Sequence, residues 1–265
     1  MIKNYPSLEV DINGVPTTLY VQYPEWAKAS TSGDVLSFNY NHRMYLSTQE
    51  TLDPSKYYRA NLLGGSVEFD IDLSNSGCGC LTALYTVRMP GVDSTSDSFK
   101  YCDGMAVGGS YCPEFDILEA NKFSYRATSH ACSAPNASGV YSSCDRNGSC
   151  SVDILTNPQA NDFGPGASYT IDTQKAFHVK QSYLETDGQF SGYTTEFSQE
   201  GRSVWLNQLN CAGLNGITAD MRDMVLVFSN WGSDSLDWLQ HGVCSGSCST
   251  TATSQTFTNL KITTK

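Results

Sequence analysis

Three acidic side chains crowd the segment Tyr111-Cys-Pro-Glu114-Phe-Asp116-Ile-Leu-Glu119-Ala-Asn121. If the segment is a strand, Glu114 and Asp116 share one face, because the side-chain period is two. Glu119 then falls on the other face, unless one extra residue is bulged out between Asp116 and Glu119. With that bulge, three carboxylates line a single surface. Like charges so close repel, and at least one of them should keep its proton near neutral pH. One protonated and one ionised carboxyl are what cleavage of a glycosidic bond requires, and a separation of roughly 5 to 5.5 Å leads to retention through a covalent glycosyl-enzyme. In that chemistry Glu114 is the nucleophile, Glu119 the acid/base and Asp116 the group that hydrogen-bonds Glu114. The same spacing also suits a solvated acidic edge or a calcium site.

Strands are what the rest of the chain offers to position these groups. Apolar and polar residues alternate in 66–73, 81–89, 168–172, 177–183 and 257–263, each bounded by turn-forming residues. Met224-Val-Leu-Val-Phe228 is continuously apolar and predicts a strand buried on both faces. Helical periodicity is confined to one short candidate, 212–222. Many strands without intervening helices predict an all-β, two-sheet antiparallel sandwich of jelly-roll type. No repeat or linker divides the chain, so residues 1–265 are expected to form a single catalytic domain.

Composition narrows the class of ligand. The chain has 27 acidic against 16 basic residues, a net charge of −11 and a pI near 4.6, which argues against nucleic acid and anionic membranes as partners. A low charged fraction with 22 Gly and 15 Tyr suits an extracellular β protein that meets neutral, hydroxyl-rich ligands. Ten cysteines imply disulfides and an oxidising compartment; their spacing is poor for zinc. The N-terminus lacks an apolar leader, which reads as a mature secreted form, and no run reaches transmembrane length. Asn136-Ala-Ser and Asn147-Gly-Ser are sequons compatible with secretion.

The stretch Glu114-Phe-Asp116-Ile-Leu-Glu119-Ala-Asn121 resembles the Glu-x-Asp-x-x-Glu-Ala-Asn signature of glycoside hydrolase family 7, the cellulase family of cellobiohydrolases and endoglucanases. Its first half also occurs in family 16. Further segments are similar to the same family: Phe69 to Ser74, Cys78, Ala83-Leu-Tyr85, Tyr101-Cys-Asp103, His130 with Cys132, Cys144-Asp145, Phe163 to Gly166, Ile171 to Thr173, and Met224 to Val227 leading to Trp231. The likeness spans about residues 34 to 265. It implies a concanavalin-like jelly roll with an open substrate cleft, the carboxylate roles given above, and no cofactor or metal. It also implies substrate contacts from His130, Trp231, Trp238, Tyr85, Asp103 and Arg43. Disulfides follow by resemblance as Cys102–Cys112, Cys132–Cys144, Cys150–Cys211 and Cys78–Cys248. Cys80–Cys244 is left over, and exchange within the last two pairs stays open. Trp26 and Trp205 read as structural, and His42, His178 and His241 have no comparable context.

Departures from the family pattern shape the functional reading. Only nine residues separate Cys102 from Cys112, where relatives carry a long loop over the substrate; tunnel-roofing loops and product-site arginines have no counterpart. Leu81 replaces a family asparagine. A short, open cleft is expected, and with it a secreted, monomeric, retaining endo-β-1,4-glucanase acting on β-glucan polysaccharide or oligosaccharide. The alternatives are a family 16-like β-1,3/1,4-glucanase and a lectin-like sandwich that binds glycans without cleaving them.

Overall fold

The structure is a computed structural model that describes residues 5–24, 28–94, 97–157, 162–250 and 254–265. Residues 1–4 of the N-terminus and Trp26 lie outside the described residues. The first half of the chain forms strands β1 (Ser7–Ile12), β2 (Val15–Gln22), β3 (Ala29–Ser32), β4 (Val35–Phe38), β5 (His42–Ser47), β6 (Arg59–Ala60), β7 (Ser66–Asp72), β8 (Cys80–Val87), β9 (Glu114–Asn121) and β10 (Ser124–His130). The second half adds β11 (Val152–Asp153), β12 (Phe163–Gly164), β13 (Ile171–Asp172), β14 (Phe177–Thr186), β15 (Gln189–Gln199), β16 (Arg202–Leu209), β17 (Met224–Gly232) and β18 (Gln255–Thr263).

The main path of hydrogen-bonded neighbours runs β11-β10-β9-β8-β17-β5-β2-β1-β18-β7-β14-β15-β16. It curls over so that its two halves face each other across one apolar core. Phe115 of β9 meets Tyr193 of β15 edge-on at 4.9 Å between ring centroids, and Tyr125 of β10 meets Phe197 at 4.7 Å. The two expected sheets are therefore joined edge to edge through β2, β1 and β18. All pairings on this path are antiparallel except β1 with β18. Of the expected strands, only 168–172 shrinks markedly, to the two residues of β13. The candidate helix at 212–222 forms two 3-10 turns, Ala212–Ile217 and Asp220–Arg222. Gly213 explains the first: a Cβ there would lie 2.9 Å from Cys150 Sγ, so glycine is kept for close approach, and glycine is a poor α-helix former. A short helix α1 covers Asp237–Gln240.

The disulfides are Cys102–Cys112, Cys132–Cys144, Cys150–Cys211, Cys78–Cys244 and Cys80–Cys248. The last two correct the expected Cys78–Cys248 and Cys80–Cys244. Segment 244–248 runs alongside 78–80 in the same direction, and the expected order would need the opposite one. Gly79 makes this possible, since a Cβ there would meet Gly246 O at 2.5 Å and Cys248 N at 2.7 Å. These bonds tie the α1 loop to the start of β8.

Candidate active site

The site begins with the β9–β10 hairpin. Its short connection pairs Asn121 with Ser124 and therefore Glu119 with Arg126. Were the register unbroken, Asp116 would next oppose Ser129; instead Thr128 opposes Asp116 and His130 opposes Glu114, because β9 holds one residue more than β10 between these pairs. The same shift recurs against β8, where Leu84 faces Leu118 and Tyr85 faces Asp116. This is a β-bulge at Ile117-Leu118, and it turns both of those side chains, fully buried, into the main core. Glu114, Asp116 and Glu119 are consequently brought to the same cleft, each opposite one of His130, Thr128 and Arg126.

A bulge releases backbone groups that a regular ladder would pair, and inside a core they need partners. The Ile117 carbonyl accepts the Tyr125 hydroxyl at 2.9 Å and the Gln181 side-chain amide at 3.2 Å. Gln181 and Tyr125 both reach Thr195 Oγ1, each at 3.1 Å. This buried polar trio explains why hydroxyls and an amide sit between two apolar sheets.

The cleft has a volume of about 800 Å³. Its floor follows the strand rows: Glu119 beside Ala83, Ser229 and Arg43, and Asp116 beside Tyr85, Val227 and Tyr45. One wall is the loop after β8, whose Phe99 and Tyr101 pack on Tyr45. Trp231 and Trp238 line the cleft with 36% and 37% of their surfaces exposed, enough to offer an indole face to a ligand.

The electrostatics are asymmetric. Burial raises the Glu114 carboxyl well above its ordinary range, Asp116 and Asp103 add to this, and His130 and the Gly104 amide oppose it. Burial and Asp116 likewise raise Glu119, against His130 and Arg126. Gly104 N–H donates to Glu114 Oε2 at 2.8 Å; Glu119 has no comparable donor among the described residues. The arrangement thus favours the anion at Glu114 and the proton at Glu119. Burial disfavours a charged His130, but the hydrogen bond to Asp116, the charges of Asp116 and Glu114 and the Asp145 carbonyl outweigh it, and its pKa is pushed up to about 10. His130 Nε2 lies 3.0 Å from Asp116 Oδ2, and Nδ1 donates to Asp145 O at 2.6 Å. Asp145 in turn accepts the amides of Asn147, Gly148 and Ser149, which fixes that loop. Asp116 therefore pairs with His130, where direct bonding to Glu114 was the expectation. Among the described residues, no group of three or more His, Cys, Asp or Glu side chains is arranged to hold a metal ion.

All six other expected contact residues line the cleft, though not equally openly. Tyr85 is 5% exposed, with its hydroxyl 2.9 Å from that of Tyr101. Asp103, also buried, accepts the amides of Met105 and Val107 at Oδ1 and so shapes its own loop. The Arg43 guanidinium lies 3.5 Å over the Tyr101 ring. Arg126, Thr128, Arg146, Asn147 and His42 also line the cleft, and sequence reasoning assigned none of them to the site. A signal for two existed: a tight turn at Lys122-Phe123 places Arg126 opposite Glu119, and the period of two then adds Thr128. His178 and His241 lie elsewhere, bonded to Asp70 and Asp153 at 2.7 Å each. Trp205 is on β16 and 45% exposed.

Residues 91–221 match the model of Glycosyl hydrolase family 7. The fold is similar to a structure of Humicola insolens Cel7B glycosynthase mutants, at 19% identity and a TM-score of 0.81, covering 100% of this chain and 98% of that one. It is similar to an endoglucanase I complexed with cellobiose, at 21% identity and a TM-score of 0.79, covering 99% and 97%. A family 7 cellobiohydrolase from Daphnia pulex gives 18%, a TM-score of 0.77, and coverage of 99% and 97%. The chain therefore has the β-jelly-roll sandwich fold expected from its sequence.

Proposed function

Because the chain belongs, through residues 91–221, to glycosyl hydrolase family 7 and is a glycoside hydrolase, we propose that it is a secreted retaining endo-β-1,4-glucanase acting as a single catalytic domain. The observation that carries this reading is the bulge that gathers Glu114, Asp116 and Glu119 on the cleft face beside His130.

In the first step Glu114 attacks the anomeric carbon with the carboxylate oxygen not held by Gly104, while Glu119 gives its proton to the departing glycosidic oxygen. The C–O bond breaks and an ester to Glu114 forms. In the second step Glu119, now ionised, takes a proton from water; the water oxygen attacks the same carbon and Glu114 leaves as a carboxylate. Two inversions give net retention. Asp116 and protonated His130 form an ion pair beside the nucleophile, which offsets the charge that accumulates and dissipates there.

Endo cleavage is supported by the short wall between Cys102 and Cys112, whose Met105 and Val107 reach the cleft without a long covering loop. The fold neighbours include both an endoglucanase and a cellobiohydrolase, so this wall is the better guide. Five disulfides suit secretion. The test is release of reducing ends from carboxymethylcellulose, barley glucan and laminarin. Glu114→Gln and Glu119→Gln should each lower the rate on soluble β-1,4-glucan by about a thousandfold or more with the fold intact. Wild-type rates in either variant would remove the assignment.

A further inference from the structure

We propose that Arg126 is a positioning residue that couples the acid/base carboxyl to the tryptophan shelf at one end of the cleft, a role that rests on the hydrolase reading above. The register of the hairpin puts Arg126 directly opposite Glu119. Its guanidinium bonds one residue of the hairpin and three positions beyond it. Nε donates to Thr128 Oγ1 at 3.2 Å, Nη2 to Ser151 Oγ at 3.0 Å and to the Asn147 carbonyl at 3.5 Å, and Nη1 to the Trp238 carbonyl at 3.4 Å. Its central carbon lies 5.9 Å over the Trp238 ring, within cation–π range.

No carboxylate lies within ion-pair distance of Arg126 among the described residues, so its charge is not cancelled by a partner. Three charged groups bear on Glu119: Asp116 on the same strand, and His130 and Arg126 on β10; the neighbour on β8 is Ala83. Arg126 is the cation that also holds the shelf. Ser124 bonds the Leu239 carbonyl and His241 bonds Asp153, so α1 is docked against β10 and β11 at three points. The Arg126 contact is the one that reaches Trp238 itself. A leaving sugar resting on Trp238 and the proton donor that must reach its oxygen are thereby held in one frame, which is what orientation of a proton transfer requires.

The charge and the fork have separable consequences. Arg126→Met keeps the apolar stem and loses both; Arg126→Lys keeps the charge and loses the fork. A cation stabilises ionised Glu119, so its removal keeps the acid/base protonated to higher pH. The experiment measures kcat and KM against pH on soluble β-1,4-glucan and on an aryl cellobioside with an activated leaving group. In Arg126→Met the alkaline limb should move up by about 0.5 pH unit or more and KM for the polymer should rise several-fold. In Arg126→Lys the limb should stay while KM rises. The activated aryl substrate, which needs little protonation, should be less affected in both variants. An alkaline limb that does not move in folded Arg126→Met, or an unchanged KM in Arg126→Lys, would overturn the coupling. A wild-type protein that cleaves no glycan would instead remove the hydrolase reading.

Discussion

Gly104 donates to Glu114, the nucleophile of the proposed mechanism, and a single added methyl group on Gly104 would displace that amide while every other residue of the site is kept. A Cβ at this position would lie 2.7 Å from His130 Cβ and 3.1 Å from Glu114 Oε2. Carbon atoms in contact settle at roughly 3.5 to 4.0 Å, so in Gly104→Ala the loop must retreat by about 1 Å. That carries the N–H···Oε2 bond from 2.8 Å past hydrogen-bonding distance. A hydrogen bond to a charged group contributes about 1.5–3 kcal/mol, and about 1.4 kcal/mol corresponds to one pH unit. Donation favours the carboxylate, so its loss holds the proton on Glu114 to higher pH. The acid limb of kcat/KM should rise by about 1–2 pH units, with a tenfold to hundredfold loss below it. Above the new limb most activity should return, which a misfolded variant would not do. Initial rates of reducing-end release from strongly acidic to neutral pH are the assay. An acid limb at its wild-type position would refute the role given to this amide.

Stability should fall as pH rises. The His130 pKa is raised from 6.5 to about 10, so its contribution is fully present below the unfolded value and is lost as pH climbs through the folded one; the difference of 3.5, at about 1.4 kcal/mol each, sets an upper value of about 5 kcal/mol. Glu114 and Glu119, also raised, act in the same direction from above pH 4.5, and urea midpoints that stay level between mildly acidic and alkaline buffer would contradict both. Tyr125→Phe and Gln181→Leu should each cost about 1–3 kcal/mol by leaving the Ile117 carbonyl short of a donor. In both variants kcat should drop more than KM changes, and destabilised variants with wild-type kcat would mean that the trio serves the core alone.

The bulge could be anticipated from the sequence because Glu114, Asp116 and Glu119 can share a face only if one residue is inserted. The period of two makes that a binary choice, and the paired register across both β8 and β10 shows the choice made at Ile117-Leu118. What lies across the hairpin was also implied, since fixing the turn fixes Arg126 opposite Glu119, but nothing about an isolated arginine in an alternating strand announces it. Other features were illegible for physical reasons. The order of Cys78 and Cys80 depends on the direction of a distant segment, which spacing does not encode. Four residues of α1 are too few to establish a helical period. The segment 212–222 has apolar spacing close to that of a helix, yet Gly213 is there to admit Cys150, and a tertiary contact overrides local propensity.

The buried trio links these observations. A bulge in a strand that packs on both faces is costly unless its freed carbonyl is paired, and in the core that partner must come from the opposite sheet or the neighbouring strand. Tyr125 supplies one donor from β10 and Gln181 another from β14, while Thr195 of β15 accepts from the Gln181 amide and donates to the Tyr125 hydroxyl, whose own proton goes to Ile117. Apolar residues of similar size at 125 and 181 would pack there but leave the carbonyl unpaired, and slipping β9 back into regular register would turn Glu119 toward the core. The interior polar groups thus make the regular alternative unfavourable and the bulged one complete. The side of the sheet on which Glu119 stands is decided beneath the cleft, by three residues that do not line it.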